Sequence, residues 1–139
     1  MLDANLIHRA YETISNAEKE LAELLKRPVK VWFDYTSGKL SVQMIVSVVC
    51  TICNVSEAEL MSQSKLEPLV FARYHCFNLM FRVLKMNKTE IGVFFNRNHA
   101  TVINGLNQYD TMYETSKEFR EQSKLIEKNL FLTVTSHEQ

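Results

Sequence analysis

The sequence predicts an all-α fold, a multi-helix bundle, and three observations carry that reading. Only 3 Gly and 2 Pro occur in 139 residues, which leaves little material for tight turns. Long stretches rich in Leu, Glu, Lys, Ala, Met and Gln suit helices, and apolar residues recur at three- and four-residue spacings in one segment after another. A hydrophobic content of 46 % with 23 % charged residues describes an ordinary globular chain whose length fits one domain with a real core.

Residues 4–27 read as one amphipathic helix, because Ile7, Ala10, Ile14, Ala17, Leu21 and Leu24 form an a/d seam. The seam is short and carries alanine at both complete d positions, so it either packs on its own domain or joins two copies in a homodimer. Pro28 stops this helix, and Val29 to Tyr35 reads as extended before the turn Thr36-Ser37-Gly38. Trp32, Phe33 and Tyr35 are either a packing clasp or a stacking platform for bases.

A series of capped helices begins at Ser41. Ser41 caps a helix bearing Ile45, Val46, Val49 and Ile52, and Ser56 with Glu59 forms a capping box for a short helix through Leu60 and Met61. Pro68 opens a long central helix with Leu69, Ala72, Cys76, Leu79, Met80 and Val83 on a 3.6-residue period. Asn87 with Glu90 caps a short helix ending near Phe95; after Asn96-Arg97-Asn98 another runs from His99 to Tyr113, which makes this pair a helix-turn-helix candidate. Thr115 with Glu118 is expected to cap the last helix, through Phe119, Ile126 and Leu130. The division is thus 1–40 for the N-terminal helix and aromatic segment, 41–132 for the helical domain, and 133–139 for a flexible tail.

Charge is uneven along the chain although the formal net is zero. Residues 65–109 hold 6 basic side chains against 2 acidic, residues 1–64 hold 6 against 8, and residues 110–139 hold 4 against 6. A basic middle between acidic flanks is either a footprint for a phosphate backbone or a solvated lysine-rich face.

Several function classes find no support. Asp3, Arg9 and Glu12 stand where a signal peptide needs an apolar core, and Met44 to Cys53, the longest mostly apolar run, is about half the length of a membrane span and reads as a buried core helix. A cytoplasmic protein without a membrane partner is expected, with its 3 cysteines reduced. Cys50 and Cys53 have metal-ligand spacing, but His75 and Cys76 are the only further ligands and no second pair exists, so core thiols and no metal are expected. Ser62-Gln63-Ser64-Lys65 matches a Ser-x-x-Lys motif by coincidence, since the companion motifs are missing. No catalytic constellation rises above background, which predicts neither an enzyme nor a cofactor.

The run Glu90 to Leu106, "EIGVFFNRNHATVINGL", resembles the signature of the DnaA C-terminal (domain IV) family, whose helix-turn-helix fold is Trp-repressor-like. "VSEAELMS" (Val55 to Ser62) and Arg73 fall at that family's spacings too, with one missing glycine near Asn96. The resemblance implies double-stranded DNA as partner. It implies base-reading positions at Asn98, His99 and Ala100, phosphate-facing positions at Arg73, Lys88, Thr89, Arg97 and Thr101, and a minor-groove position at Lys65. Asn98 can bond an adenine edge, His99 a purine, and Ala100 a thymine methyl.

The chain also departs from that pattern. Asn98 replaces an aspartate, Ala100 a threonine, and Lys65-Leu66-Glu67-Pro68-Leu69-Val70-Phe71 an arginine-rich loop. A changed target sequence and a weaker minor-groove arm follow. No Gly-x-x-x-x-Gly-Lys-Ser/Thr loop is present, so no nucleotide is expected. The expectation is a bacterial, nucleoid-associated, sequence-specific DNA-binding protein acting in replication initiation, its regulation or transcription control. The alternative is a protein-interaction module that keeps the fold without DNA binding.

Overall fold

The computed structural model describes residues 4–32 and 38–136. Seven helices and no strand occur among them: α1 (Ala4–Leu25), α2 (Val42–Cys53), α3 (Glu57–Met61), α4 (Glu67–Arg82), α5 (Lys88–Phe95), α6 (His99–Thr115) and α7 (Lys117–Ser136). The all-α expectation holds. The expected capping groups set the starts of α2, α3 and α5. Ser41 Oγ accepts from the Met44 N–H, and both halves of the capping boxes Ser56/Glu59 and Asn87/Glu90 are formed.

The last junction differs from the expectation. Thr115 belongs to α6, where its hydroxyl bonds the Thr111 carbonyl, and Ser116 Oγ accepts the Phe119 N–H at the start of α7. At its other end α7 runs to Ser136, past the expected start of the tail at Thr133. The apolar period explains the extension, since Ile126, Leu130 and Val134 are all buried.

Helix α4 is the centre. Residues 75–80 are buried on every side of it, with α2, α3, α5 and α6 packed around. Ile45, Val46 and Val49 of α2, Phe77 and Met80 of α4, Phe95 of α5 and Leu106 of α6 share one core. Tyr109, Tyr113 and Phe119 form a smaller cluster at the α6–α7 corner. Phe77 and Phe95 meet edge to face at 5.1 Å, an arrangement aromatic pairs favour.

The N-terminal helix rests on this bundle. Tyr11 stacks on Phe131 at 5.5 Å, and Glu18 accepts the Val31 N–H at 2.7 Å. Lys30 lies 3.6 Å from Glu18 and 2.8 Å from the buried Glu127, so one ammonium joins α1 to α7. The seam does not go inward whole: Leu21 and Leu24 remain exposed beside Leu25. Trp32 is half-buried against Tyr109, with Lys30 and Arg82 over its ring, which is the packing arrangement. Phe33, Tyr35 and the start of the following turn lie outside the described residues.

His75 is buried in α4, stacked on Phe119 at 4.3 Å, and its Nε2 lies 2.8 Å from Gln122 Oε1. That oxygen only accepts, so Nε2 carries the proton. Burial pushes the imidazole down from 6.5 to about 4, against the smaller opposite pull of Gln122. The unfolded chain therefore binds the extra proton between those two values. The stabilisation is complete above the unfolded value and is lost as pH falls toward the folded one.

Between pH 7 and pH 5 this group is expected to cost about 2 kcal/mol, read by urea unfolding. Glu127 acts in the opposite direction, because burial raises its carboxyl despite Lys30. The comparison is thus between the wild type and His75→Phe. Equal acid sensitivity in both would show that His75 does not titrate in this way.

Candidate nucleic-acid interface

Helices α5 and α6 form the helix-turn-helix pair. With Asn87 capping the Glu90 N–H at 2.8 Å, the N–H groups of Lys88 and Thr89 are left at the helix start without intrahelical acceptors. Lys88 places its ammonium 5.3 Å from the Phe81 ring centroid, and Thr89 is exposed. At the other end Asn96 adopts the left-handed conformation at φ 55°. The Asn96 and Arg97 N–H groups bond the carbonyls of Val93 at 3.1 Å and Gly92 at 2.8 Å. This is a Schellman closure. Asparagine is among the few residues that tolerate that backbone, so the turn closes without a glycine there.

Asn98 then caps α6. Its Oδ1 accepts from the Thr101 N–H at 2.9 Å and from the Thr101 hydroxyl at 3.2 Å. Its oxygen is therefore engaged, whereas the amide nitrogen of this exposed side chain makes no hydrogen bond among the described residues. His99, Ala100 and Thr101 are exposed on the first turn, while Val102, Gly105, Leu106 and Tyr109 turn inward. Gly105 permits a close approach to α4: a Cβ there would lie 2.5 Å from Phe77 Cδ2. Ile103, Asn104 and Asn107 continue the exposed face. The sequence reading missed them, although Ile103 and Asn104 stand four residues beyond His99 and Ala100 and so share their side of the helix.

Arg73 and Arg97 sit differently from simple phosphate-facing side chains. Arg73 is 5 % exposed, and its guanidinium donates to four backbone carbonyls, those of Glu59 (3.2 Å), Leu60 (2.8 Å), Ser62 (2.8 Å) and Ser64 (2.6 Å). Arg97 is half-buried and donates to the Phe95 carbonyl and, at 2.6 Å, to the same Ser62 carbonyl. Burial and the neighbouring Arg97 lower the pKa of Arg73, but both guanidinium groups keep their charge.

Ser62 and Ser64 tie the same loop, Ser62 Oγ to the Glu59 carbonyl and Ser64 Oγ to the Leu66 N–H. The serines of the Ser-x-x-Lys coincidence are thus loop formers. The loop presents Lys65 and Leu66 to solvent. Between it and α6 lies a cleft of about 400 Å³ lined by Lys65, Arg73, Arg97, Thr101 and Asn104. Of the expected site residues, Lys65, Arg73, Arg97 and Thr101 meet here; Asn98, His99 and Ala100 stand outside its lining at the start of α6, and Lys88 and Thr89 at the start of α5.

Of the remaining cations in the basic middle, Arg82 is held by both oxygens of Asp110, at 2.7 and 2.9 Å. Lys65, Lys85 and Lys88 make no ion pair among the described residues. Those residues include no group of three or more metal-ligating side chains, and no helix long and apolar enough to cross a membrane.

The family model for the bacterial DnaA protein helix-turn-helix matches residues 42–108, which span α2 to the middle of α6. The chromosomal replication initiator protein DnaA of Leptospira biflexa is 30 % identical over 112 residues, covering 77 % of this chain. The corresponding protein of Oleidesulfovibrio alaskensis is 37 % identical over 67 residues, 48 % of this chain. The chain spans 24 % of the length of the first and 14 % of the second. Through the domain built on α2 to α6, this chain belongs to the bacterial DnaA helix-turn-helix family.

Proposed function

We propose that the chain binds double-stranded DNA in a sequence-specific way and serves replication initiation, its regulation or transcription control. Helix α6 enters the major groove with Asn98, His99 and Ala100 toward base edges. Lys88, Thr89, Arg97 and Thr101 face phosphates, Lys65 points to the neighbouring minor groove, and Arg73 supports that arm from behind. The observation that carries this reading is the exposed first turn of α6, fixed by the caps at Asn96 and Asn98 and placed beside a cationic loop. Two DnaA proteins among the relatives support it.

Selection from random double-stranded DNA, followed by fluorescence anisotropy at two salt concentrations, tests it. An enriched motif bound more tightly than scrambled DNA is expected, with affinity falling steeply in salt. His99→Ala should cost about 1–3 kcal/mol on the preferred site and relax specificity, whereas Lys88→Ala should weaken all sequences alike and lower the salt slope by about 0.9. Unchanged binding by both variants would refute these roles.

The exposed leucines of α1 favour a second reading, a protein-interaction module working through that helix. Leu24 is 78 % exposed and Leu25 52 %. A homodimer lost on Leu24→Glu, together with no enriched DNA, would establish it.

A further inference from the structure

The exposed side chain that caps α6, Asn98, offers hydrogen bonds of a single polarity. Asn98 Oδ1 accepts two bonds from Thr101, at 2.9 Å from its N–H and 3.2 Å from its hydroxyl. A backbone N–H only donates, so the amide cannot be turned the other way round without breaking the cap. The amide nitrogen makes no hydrogen bond among the described residues, and the side chain is exposed. Bidentate recognition of adenine requires the oxygen as well as the nitrogen of an amide. Here that would sacrifice the helix cap.

We propose that Asn98 is a specificity-determining residue acting only as a donor, which selects at the edge it contacts a base presenting a carbonyl oxygen, guanine O6 or thymine O4, and rejects one presenting an amino group there, adenine N6 or cytosine N4. The proposal rests on the reading that α6 enters the major groove. Guanine O6 and adenine N6 occupy equivalent places on the groove edge, as do thymine O4 and cytosine N4. Exchanging donor for acceptor on the protein therefore exchanges one purine for the other, or one pyrimidine for the other.

Asn98→Asp performs that exchange. One carboxylate oxygen can still accept the Thr101 N–H, since aspartate caps helices as well as asparagine does, and the other turns an acceptor toward the base. Asn98→Ser keeps a capping oxygen and removes the outward group altogether.

The test is selection from random duplex DNA with the full chain as wild type, Asn98→Asp and Asn98→Ser, with thermal unfolding to confirm that all three fold. The wild type is expected to enrich a motif that prefers guanine or thymine at one position by roughly fivefold to tenfold. With Asn98→Asp that position should change to adenine or cytosine respectively while its neighbours stay fixed. With Asn98→Ser it should become degenerate. An enriched motif that is identical in all three proteins would overturn the assignment of Asn98 and leave DNA binding standing. No enrichment by the wild type would overturn both.

Discussion

Arg73→Ala is expected to destabilise the domain by about 3–5 kcal/mol, the range for breaking a buried charged network. Four carbonyls, of residues 59, 60, 62 and 64, share this one guanidinium. A hydrogen bond to a charged group contributes about 1.5–3 kcal/mol, and bonds that share a donor do not add in full. Leu60 is fully buried, so water cannot readily replace the bond to its carbonyl. Ser62 and Ser64 are half-exposed, and hydration there offsets part of the loss.

Arg73→Lys should recover little of the stability, because a single ammonium cannot span carbonyls that a planar fork reaches together. Urea unfolding of the three proteins measures the effect. A loss below about 1 kcal/mol for Arg73→Ala would mean that the loop is held mainly by its serines.

The position of Arg73 shows where the sequence was legible and where it was not. Capping pairs were plain because each is a local event: Ser56 with Glu59 and Asn87 with Glu90 satisfy helix N–H groups within four residues. Helix α6 was legible too, since its inward residues follow the 3.6-residue period. Arg73 is placed among the phosphate-facing positions by the family resemblance, without its register being weighed. It lies four residues after Leu69 and four before Phe77, both buried, which places it on the inner face of α4. The signal was present in the spacing. What the spacing could not reveal is the acceptor set, since the loop carbonyls come from residues 9 to 14 positions earlier and depend on how α3 folds back. The same limit applies to His75, whose partner Gln122 comes from another helix 47 residues away.

Gly92→Ala is expected to uncouple base reading from phosphate binding. A Cβ on Gly92 would stand 2.5 Å from the Arg97 carbonyl oxygen and 3.4 Å from the Asn98 carbonyl carbon. Both are backbone atoms of the turn, and no side chain can swing aside to relieve the contact. The turn must therefore move, and with it the Arg97 N–H bond to the Gly92 carbonyl at 2.8 Å. Overpacking of this kind costs about 1–3 kcal/mol in stability, which leaves a folded domain.

The functional loss should be larger than the thermodynamic one. Asn98 and His99 follow the displaced residue directly, whereas Lys88 and Thr89 lie before it at the opposite end of α5. Phosphate contacts are sequence-independent and tolerate a shift that base-edge hydrogen bonds do not. The ratio of affinities for the selected site and scrambled DNA is thus expected to fall by roughly tenfold or more, with a smaller loss on scrambled DNA because Arg97 and Thr101 move with the turn while Lys88 and Thr89 stay in place. Asn96→Gly is the control, because glycine adopts the left-handed conformation freely and keeps the closure of the turn. It should bind as the wild type does. If Gly92→Ala lowers binding to both DNAs in equal proportion, the turn does not aim the base-reading residues, and the first turn of α6 is held by its contacts with α4 instead.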